Sequence, residues 1–168
     1  SFFEGGIRVP YIVSWPDEIN PGKKSDSAVH HFDIFPTIAK AAGIESIHTL
    51  DGVDLLPFIK NEKQTKPHKT LFWRSGNHQS VLHEKWKYII SKKENFRWLF
   101  DTSVDPLESN NLIESHPEVA RKIEELMTKF NSEQNDPLFP ASYEVPIMID
   151  KYDGQKFEEG DEYLYWSN

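Results

Sequence analysis

The residues best suited to chemistry in this sequence form a polar group at the end of a predicted β-hairpin. Asn77, His78 and Gln79 stand there, with Arg74 just before them and His83 just after. Rigid strands hold such side chains where a ligand can reach them, and histidine can hydrogen-bond to a ligand or exchange a proton near neutral pH. The alternative is a solvated turn, because hairpin ends are polar by default.

The sequence contains no recognisable nucleophile. It has no cysteine and no Gly-x-Ser-x-Gly turn, and none of its seven histidines forms a local partnership with a serine. We therefore predict no catalytic residue within this chain.

One short segment has the residue types of a metal site. His30, His31 and Asp33 lie close together, and imidazole and carboxylate groups are common metal ligands. In an extended segment, however, His30 and His31 point to opposite sides, and Asp33 is placed to cap the helix that follows. We therefore predict a structural role for these residues and no metal site.

Tryptophans offer a second type of ligand surface. Trp73, Trp86, Trp98 and Trp166 could stack on sugar rings. Aromatic residues at alternating strand positions more often belong to a core, and we favour that interpretation.

Composition excludes several classes of function. The 168 residues carry 19 Lys+Arg against 27 Asp+Glu, a formal net charge of −8, and the basic residues are scattered. Such a chain lacks the positive surface that binds nucleic acids, and no apolar run is long enough to span a membrane. Without cysteine there are no disulfides or thiolate metal sites. Because the sequence starts at Ser1 without an initiator methionine or a leader segment, we expect a piece of a longer polypeptide.

The first half of the chain is predicted to contain one strand and one helix. Residues 7–15 are rich in β-forming residues and include Pro10, which is typical of an edge strand or of a strand with a bulge. Asp33 is predicted to cap a helix over residues 34–42 that ends at Gly43. The apolar stripe of this helix, which we expect to be half-buried, consists of Ile34, Phe35, Ile38 and Ala41 or Ala42.

The second half is predicted to form antiparallel hairpins. Strand patterns cover residues 70–74, 79–90 with a turn at 84–85, and 97–102. Within them Trp86, Tyr88 and Ile90 alternate onto one face.

A helix and an apolar tail complete the predicted elements. Ser115 and Glu118 form a capping box, and the apolar face of the helix that follows consists of Val119, Ile123, Leu126, Met127 and Phe130. From Asn135 onward prolines interrupt the pattern, and the tip of the tail is too apolar to remain in solvent. We expect this tail to dock on the body of the protein.

A series of short motifs occurs along residues 1 to about 130. They are Glu4-Gly5-Gly6-Ile7-Arg8-Val9-Pro10, Ser14-Trp15-Pro16, His31-Phe32-Asp33-Ile34-Phe35-Pro36-Thr37, Asp51-Gly52-Val53, Leu55-Leu56-Pro57, Trp86-Lys87-Tyr88 and Leu99-Phe100-Asp101…Asp105-Pro106-x-Glu108-x-x-Asn111-Leu112. Together they resemble the C-terminal third of the type I sulfatases, a branch of the alkaline-phosphatase-like superfamily.

The resemblance implies a fold class and a division of the chain. The expected class is α/β, the C-terminal part of an alkaline-phosphatase-like sulfatase fold with a small antiparallel sheet and a C-terminal helix. Residues 1–62 would end the catalytic α/β domain, residues 63–134 would form the small subdomain, and residues 135–168 would form the docked tail.

The resemblance also implies a sulfate-ester hydrolase that uses a calcium ion and a formylglycine made in a Cys/Ser-x-Pro-x-Arg motif. That motif, the family's acidic metal ligands and its sulfate-binding lysine do not occur in this sequence. We therefore expect the segment to be inactive alone and to bind neither group. Its implied partners are the missing N-terminal part of the same polypeptide and a sulfated small molecule or carbohydrate. Family members are commonly periplasmic, secreted or lysosomal.

Candidate site residues follow from the same resemblance. In sulfatase-like proteins the hairpin of the small subdomain borders the substrate cleft, which makes Arg74, Asn77 and His78 candidate substrate-binding residues. Glu4 and Arg8 are interpreted as structural anchors. Two other functions stay open: a non-catalytic carbohydrate- or protein-binding module on this scaffold, and a phosphoester or phosphonate hydrolase of the same superfamily.

Overall fold

Two units make up the chain in the computed structural model, which describes residues 2–45, 48–92 and 95–136 together with two strands near the C-terminus. Unit 1 comprises residues 1–9 and 70–168, and unit 2 comprises residues 10–69. The chain therefore passes from unit 1 through unit 2 and returns to unit 1 at Thr70. Within the described ranges no helix is long and apolar enough to cross a membrane.

The described residues of both units contain helices. They are α1 (Glu4–Ile7), α2 (Ile34–Ala41), α3 (Leu56–Ile59) and α4 (Pro117–Ser132), and a single 3₁₀ turn, His31–Asp33, precedes α2. The predicted helix after Asp33 is confirmed, and Gly43 adopts φ 71° just beyond its end, as expected for a glycine that terminates a helix.

A four-stranded antiparallel sheet is the centre of unit 1. Its strands are β1 (Thr70–Ser75), β2 (His78–His83), β3 (Trp86–Ser91) and β4 (Phe96–Asp101), in the spatial order β1-β2-β3-β4. Tight reversals require residues with positive φ, which Gly76 (55°) and Glu84 (59°) supply. The predicted antiparallel hairpins are confirmed.

Helix α4 packs on one face of this sheet. The buried core there consists of Val81, Tyr88 and Leu99 from the strands and Ala120, Ile123 and Met127 from the helix. Trp86 and Ile90 pack against the same core, so the prediction that they share a face with Tyr88 is confirmed. The Tyr88 hydroxyl donates a hydrogen bond to Glu124, and burial together with this bond raises the pKa of Tyr88.

The predicted cap of α4 is wrong by one residue. The N-cap position belongs to His116, and the Ser115 hydroxyl instead donates to the carbonyl of Leu112 at 3.2 Å. Proline at the first helical position, Pro117, lacks one of the N–H groups that a cap would satisfy. A side-chain cap is therefore needed less at this end.

The opposite face of the sheet contacts the first residues of the chain. The ring of Phe3 lies 5.7 Å from that of Trp98, centroid to centroid, and α1 follows directly. The predicted strand over residues 7–15 is wrong, because Ile7 ends α1 and residues 8–15 form neither helix nor strand. A strand needs a hydrogen-bonding partner, and Pro10 cannot donate to one.

In unit 2 the amphipathic helix α2 buries one side and exposes its apolar stripe. Thr37 and Ala39 are its buried residues, whereas Ile34, Phe35 and Ile38 are 41%, 61% and 62% exposed. The predicted apolar stripe exists, but in this unit it lies at the surface.

The predicted docked tail lies largely outside the described residues. Two strands of it are described, β5 (Glu144–Met148) and β6 (Tyr163–Ser167), and they pair in antiparallel fashion. Pro146 lies within β5, where a two-stranded ribbon leaves one side of each strand without a ladder partner and so tolerates proline.

Replacing Ile123 by alanine should destabilise unit 1. Ile123 is fully buried against the sheet, so Ile123→Ala should reduce the free energy of unfolding by about 2–4 kcal/mol through lost burial and a residual cavity. Urea denaturation measures the change. The neighbouring exposed residue is the control, and Lys122→Ala should change stability by less than about 0.5 kcal/mol. Equal effects of the two substitutions would contradict the packing of α4.

Candidate functional site

The first hairpin of the sheet carries the predicted substrate-binding residues at its turn. Ser75 and His78 are the last register pair of β1 and β2, so Gly76 and Asn77 form a two-residue loop. The carbonyl of Asn77 accepts the backbone N–H of Lys92 at 2.9 Å, which ties the turn to the end of β3. The turn is therefore held at a fixed place relative to the sheet.

His78 lies on the sheet face that contacts Phe3. Its register partners are Ser75 on one side and Ser91 on the other, and only 6% of its surface is exposed. The imidazole thus occupies a protected, partly polar position at the end of the sheet. Such a position suits a side chain that holds one orientation toward a bound group.

Arg74 lies on the other face of the sheet. It pairs with Gln79, and alternation places both on the side that carries α4. The Arg74 guanidinium donates to the carbonyl of Asn135 at 2.8 Å, and the Gln79 side chain accepts a hydrogen bond from Asn131 at 2.9 Å. The structure therefore separates Arg74 from His78 by the thickness of the sheet, and Asn77 lies between them along the chain, in the two-residue loop.

A buried ion triad lies on the same face as His78. Lys87 on β3 has no exposed side-chain surface, and its Nζ lies 2.8 Å from Glu4 Oε1 and 2.8 Å from Glu108 Oε1. The second oxygen of Glu108 accepts the backbone N–H of Glu4 at 2.5 Å. Arg8 adds a weaker contact to Glu4 at 3.6 Å. We call Lys87, Glu4 and Glu108 the ion triad.

The motifs indicated an anchoring role for Glu4 but did not identify its partners. Glu4 and Glu108 are separated by 104 positions, and Lys87 stood out only as the centre of Trp-Lys-Tyr. Strand alternation places Lys87 on the face opposite Trp86 and Tyr88, which is the usual pattern of a solvated lysine, so the sequence carried no signal for its buried counter-charges.

Unit 2 is organised around a second buried carboxylate. Asp33 is fully buried, and its two oxygens accept the backbone N–H groups of His30 at 2.8 Å and Val53 at 2.9 Å. The Nε2 of His68 lies 2.9 Å from both oxygens. The predicted cap is thus corrected: Asp33 occupies the N-cap position of α2, but its side chain bonds these three partners and no N–H of that helix. Sequence reasoning did not single out His68.

The His30–His31 pair also differs from the expectation. The ring centroids lie 4.3 Å apart rather than on opposite sides, because the backbone turns into the 3₁₀ segment at His31. Over the part of the chain that the structure describes, no group of three or more His, Cys, Asp or Glu residues could hold a metal ion.

Comparison with known proteins gives a consistent result. A family model described as N-sulphoglucosamine sulphohydrolase, C-terminal, matches residues 1–136. Human steryl-sulfatase is 34% identical over 116 residues, which are 68% of this chain and 20% of that protein. An N-acetylgalactosamine-6-O-sulfatase of Bacteroides thetaiotaomicron is 27% identical over 143 residues, which are 76% of this chain and 28% of that protein. The chain spans less than a third of the length of either relative.

Solved structures share the fold. A sulfatase from work on glycosaminoglycan metabolism by Bacteroides thetaiotaomicron has a TM-score of 0.65 at 26% identity, covering 77% of this chain and 30% of that chain. The crystal structure of Ps i-CgsB, at 21% identity, shows the same fold with a TM-score of 0.63 over 75% of this chain and 29% of that chain. The predicted fold class is confirmed.

The environment of His30 predicts acid sensitivity. Burial, together with repulsion from His31 and His68, holds the pKa of His30 below 6.5 despite the opposing attraction of Asp33. The folded protein therefore binds fewer protons here than the unfolded chain, and stability falls as the pH drops through 6.5. Between about pH 7.5 and about pH 5.5, the melting temperature of His30→Asn should therefore fall less than that of the wild type. Replacement of the exposed His48 by asparagine is the control, and an identical pH dependence in all three proteins would contradict this prediction.

Proposed function

We propose that the full-length polypeptide hydrolyses sulfate esters, because this chain belongs to the sulfatase family. It corresponds to the C-terminal region that the N-sulphoglucosamine sulphohydrolase model describes. The observation that supports the proposal most directly is the family match over residues 1–136 together with relatives that are themselves named sulfatases. In this proposal the small sheet of unit 1 forms one wall of the substrate cleft.

The reaction centre is assigned to the part of the enzyme that precedes this region. The family resemblance implies calcium and formylglycine, but the chain has no cysteine and no Cys/Ser-x-Pro-x-Arg motif. Its described residues also include no metal-binding group of three or more side chains. The residues present therefore fit neither group. A sulfate anion also needs concentrated positive charge, which a chain of net charge −8 does not provide.

The proposed role of this chain is to hold the organic part of the substrate. Asn77 and His78 stand together at the hairpin turn, and the protected imidazole can hydrogen-bond the ester oxygen or a sugar hydroxyl. Arg74 points to the other face, so it would contact the same substrate only around the end of the hairpin.

A sulfated carbohydrate is the substrate class that we favour. One bacterial relative is named for a 6-O-sulfated N-acetylgalactosamine, and the structural neighbour at 26% identity comes from work on glycosaminoglycans. The steryl-sulfatase match keeps a small sulfated lipid-like molecule as the second possibility.

The apolar face of α2 is proposed to contact the preceding part of the same polypeptide. Its exposed residues are Ile34, Phe35 and Ile38, and the exposed Ile44 follows three residues after the helix ends. Apolar side chains grouped on one helix face are typical of an interface rather than of a free surface. The relatives are more than three times as long as the part that they share with this chain, so a large body of protein is available to cover this face.

Removing the imidazole of His78 should impair the full-length enzyme. His78→Ala should raise KM or lower kcat, reducing kcat/KM for a sulfated saccharide by about tenfold or more through loss of a substrate hydrogen bond. His83→Ala is a matched control, because it removes an equally buried imidazole from the opposite face of the same strand. Steady-state kinetics and melting temperatures are measured for both variants. Unchanged kinetics of His78→Ala would remove His78 from the site.

The isolated 168-residue chain should self-associate. Sedimentation velocity should detect oligomers or aggregates, and Phe35→Glu with Ile38→Glu should shift the distribution toward monomer because charges interrupt the apolar face. Val104→Glu, at an exposed apolar residue of unit 1, is the control and should have little effect. A monodisperse wild-type monomer at high concentration would count against a covered interface.

A further inference from the structure

The ion triad holds a helix of four residues at a cost in desolvation free energy. The Lys87 ammonium and the Glu108 carboxylate are removed from water and the Glu4 side chain is 16% exposed, although an apolar cluster of similar volume is often at least as stable as a buried ion pair. Glu108 also adopts φ 55°, a left-handed conformation that is unfavourable for a residue with a side chain. What such a cluster supplies is a fixed geometry, because each charge must meet its partner.

The triad fixes residues 2–8 over the face of the sheet that carries His78. Side chains on this face form rows across the strands, and Lys87 and Phe100 share one row. Glu4 contacts Lys87 in that row. The ring of Phe3 contacts both Phe100 and Trp98, and Trp98 is in the next row toward His78. His78 lies two rows from Lys87, about 13 Å along strands that rise about 3.3 Å per residue. The start of α1 is therefore held between the triad and the His78 end of the sheet.

Residues 2–8 also lie at the start of the matched C-terminal region, and we call them the junction. In the proposed full-length enzyme the part that carries the reaction centre precedes them. The place of residues 2–8 on the sheet then sets the position of the proposed substrate wall relative to the preceding part of the enzyme.

We propose that Lys87 is a positioning residue of the enzyme. With Glu4 and Glu108 it fixes the junction over the sheet face that carries His78, and it thereby sets the distance between His78 and the reaction centre. This inference rests on the proposed function. Lys87 does not touch the substrate in this account, and its effect passes through the backbone of residues 2–8.

The test compares two probes in the full-length polypeptide. One is 4-nitrocatechol sulfate, which has no sugar ring for the His78 end of the sheet to hold, and the other is N-acetylgalactosamine 6-sulfate, which has one. Lys87→Met should raise KM for the saccharide by about tenfold while kcat for the aryl sulfate changes by less than about twofold. Arg121→Met, which removes two exposed ion pairs of α4, is the control and should alter neither probe.

The comparison of the two probes separates positioning from loss of packing. In Lys87→Met the carboxylates of Glu4 and Glu108 lose the ammonium that joins them, so residues 2–8 are no longer held at a fixed place on the sheet. A displaced wall should change KM for the saccharide alone, whereas loss of packing lowers the melting temperature and the rates on both probes.

A milder variant keeps the inference testable where Lys87→Met does not fold. Glu108→Gln retains the Lys87–Glu4 pair and should raise the saccharide KM by about threefold. Equal losses on both probes with a lowered melting temperature, or an unchanged KM, would overturn the positioning role while leaving the sulfatase assignment intact. A wild-type enzyme that releases sulfate from neither probe would overturn both.

Discussion

The buried ammonium of Lys87 is the constraint around which unit 1 is arranged. A lysine without exposed surface must have its charge balanced, and the two carboxylates that do so come from the two separate segments of that unit, Glu4 from residues 1–9 and Glu108 from residues 70–168. Meeting this requirement brings α1 onto the sheet and draws the loop at Glu108 inward through a left-handed residue. The N-terminal segment and the C-terminal sheet thereby form one unit although residues 10–69 lie between them.

Local patterns predicted most of the regular structure because they act over short separations. The hairpins of unit 1 follow from alternation and from turn residues, and α4 follows from its apolar periodicity. The strand predicted over residues 7–15 failed for the same reason, since β-forming residues do not make a strand without a partner edge. The cap at Ser115 failed because Pro117 already relieves part of the need for it.

The candidate site was less accessible from sequence. With a two-residue loop at Gly76 and Asn77, the register alone separates Arg74 from His78, so that distinction was available from the turn length. The ion triad and the pairing of Asp33 with His68 were not, because they join residues that only the complete fold brings together. Family motifs indicated that Glu4 and Asp33 are structural, whereas only the complete fold identifies the partners of each.

The most direct test of the account is a comparison of ester classes with the full-length polypeptide purified from its natural source. Ion chromatography would measure inorganic sulfate released from N-acetylgalactosamine 6-sulfate and inorganic phosphate released from the matching 6-phosphate. We predict that sulfate release has the higher kcat/KM by about 100-fold or more. Faster phosphate release would identify a phosphoester hydrolase, and no release of either ion, with tight saccharide binding by the isolated chain, would identify a binding module; either result would contradict the account.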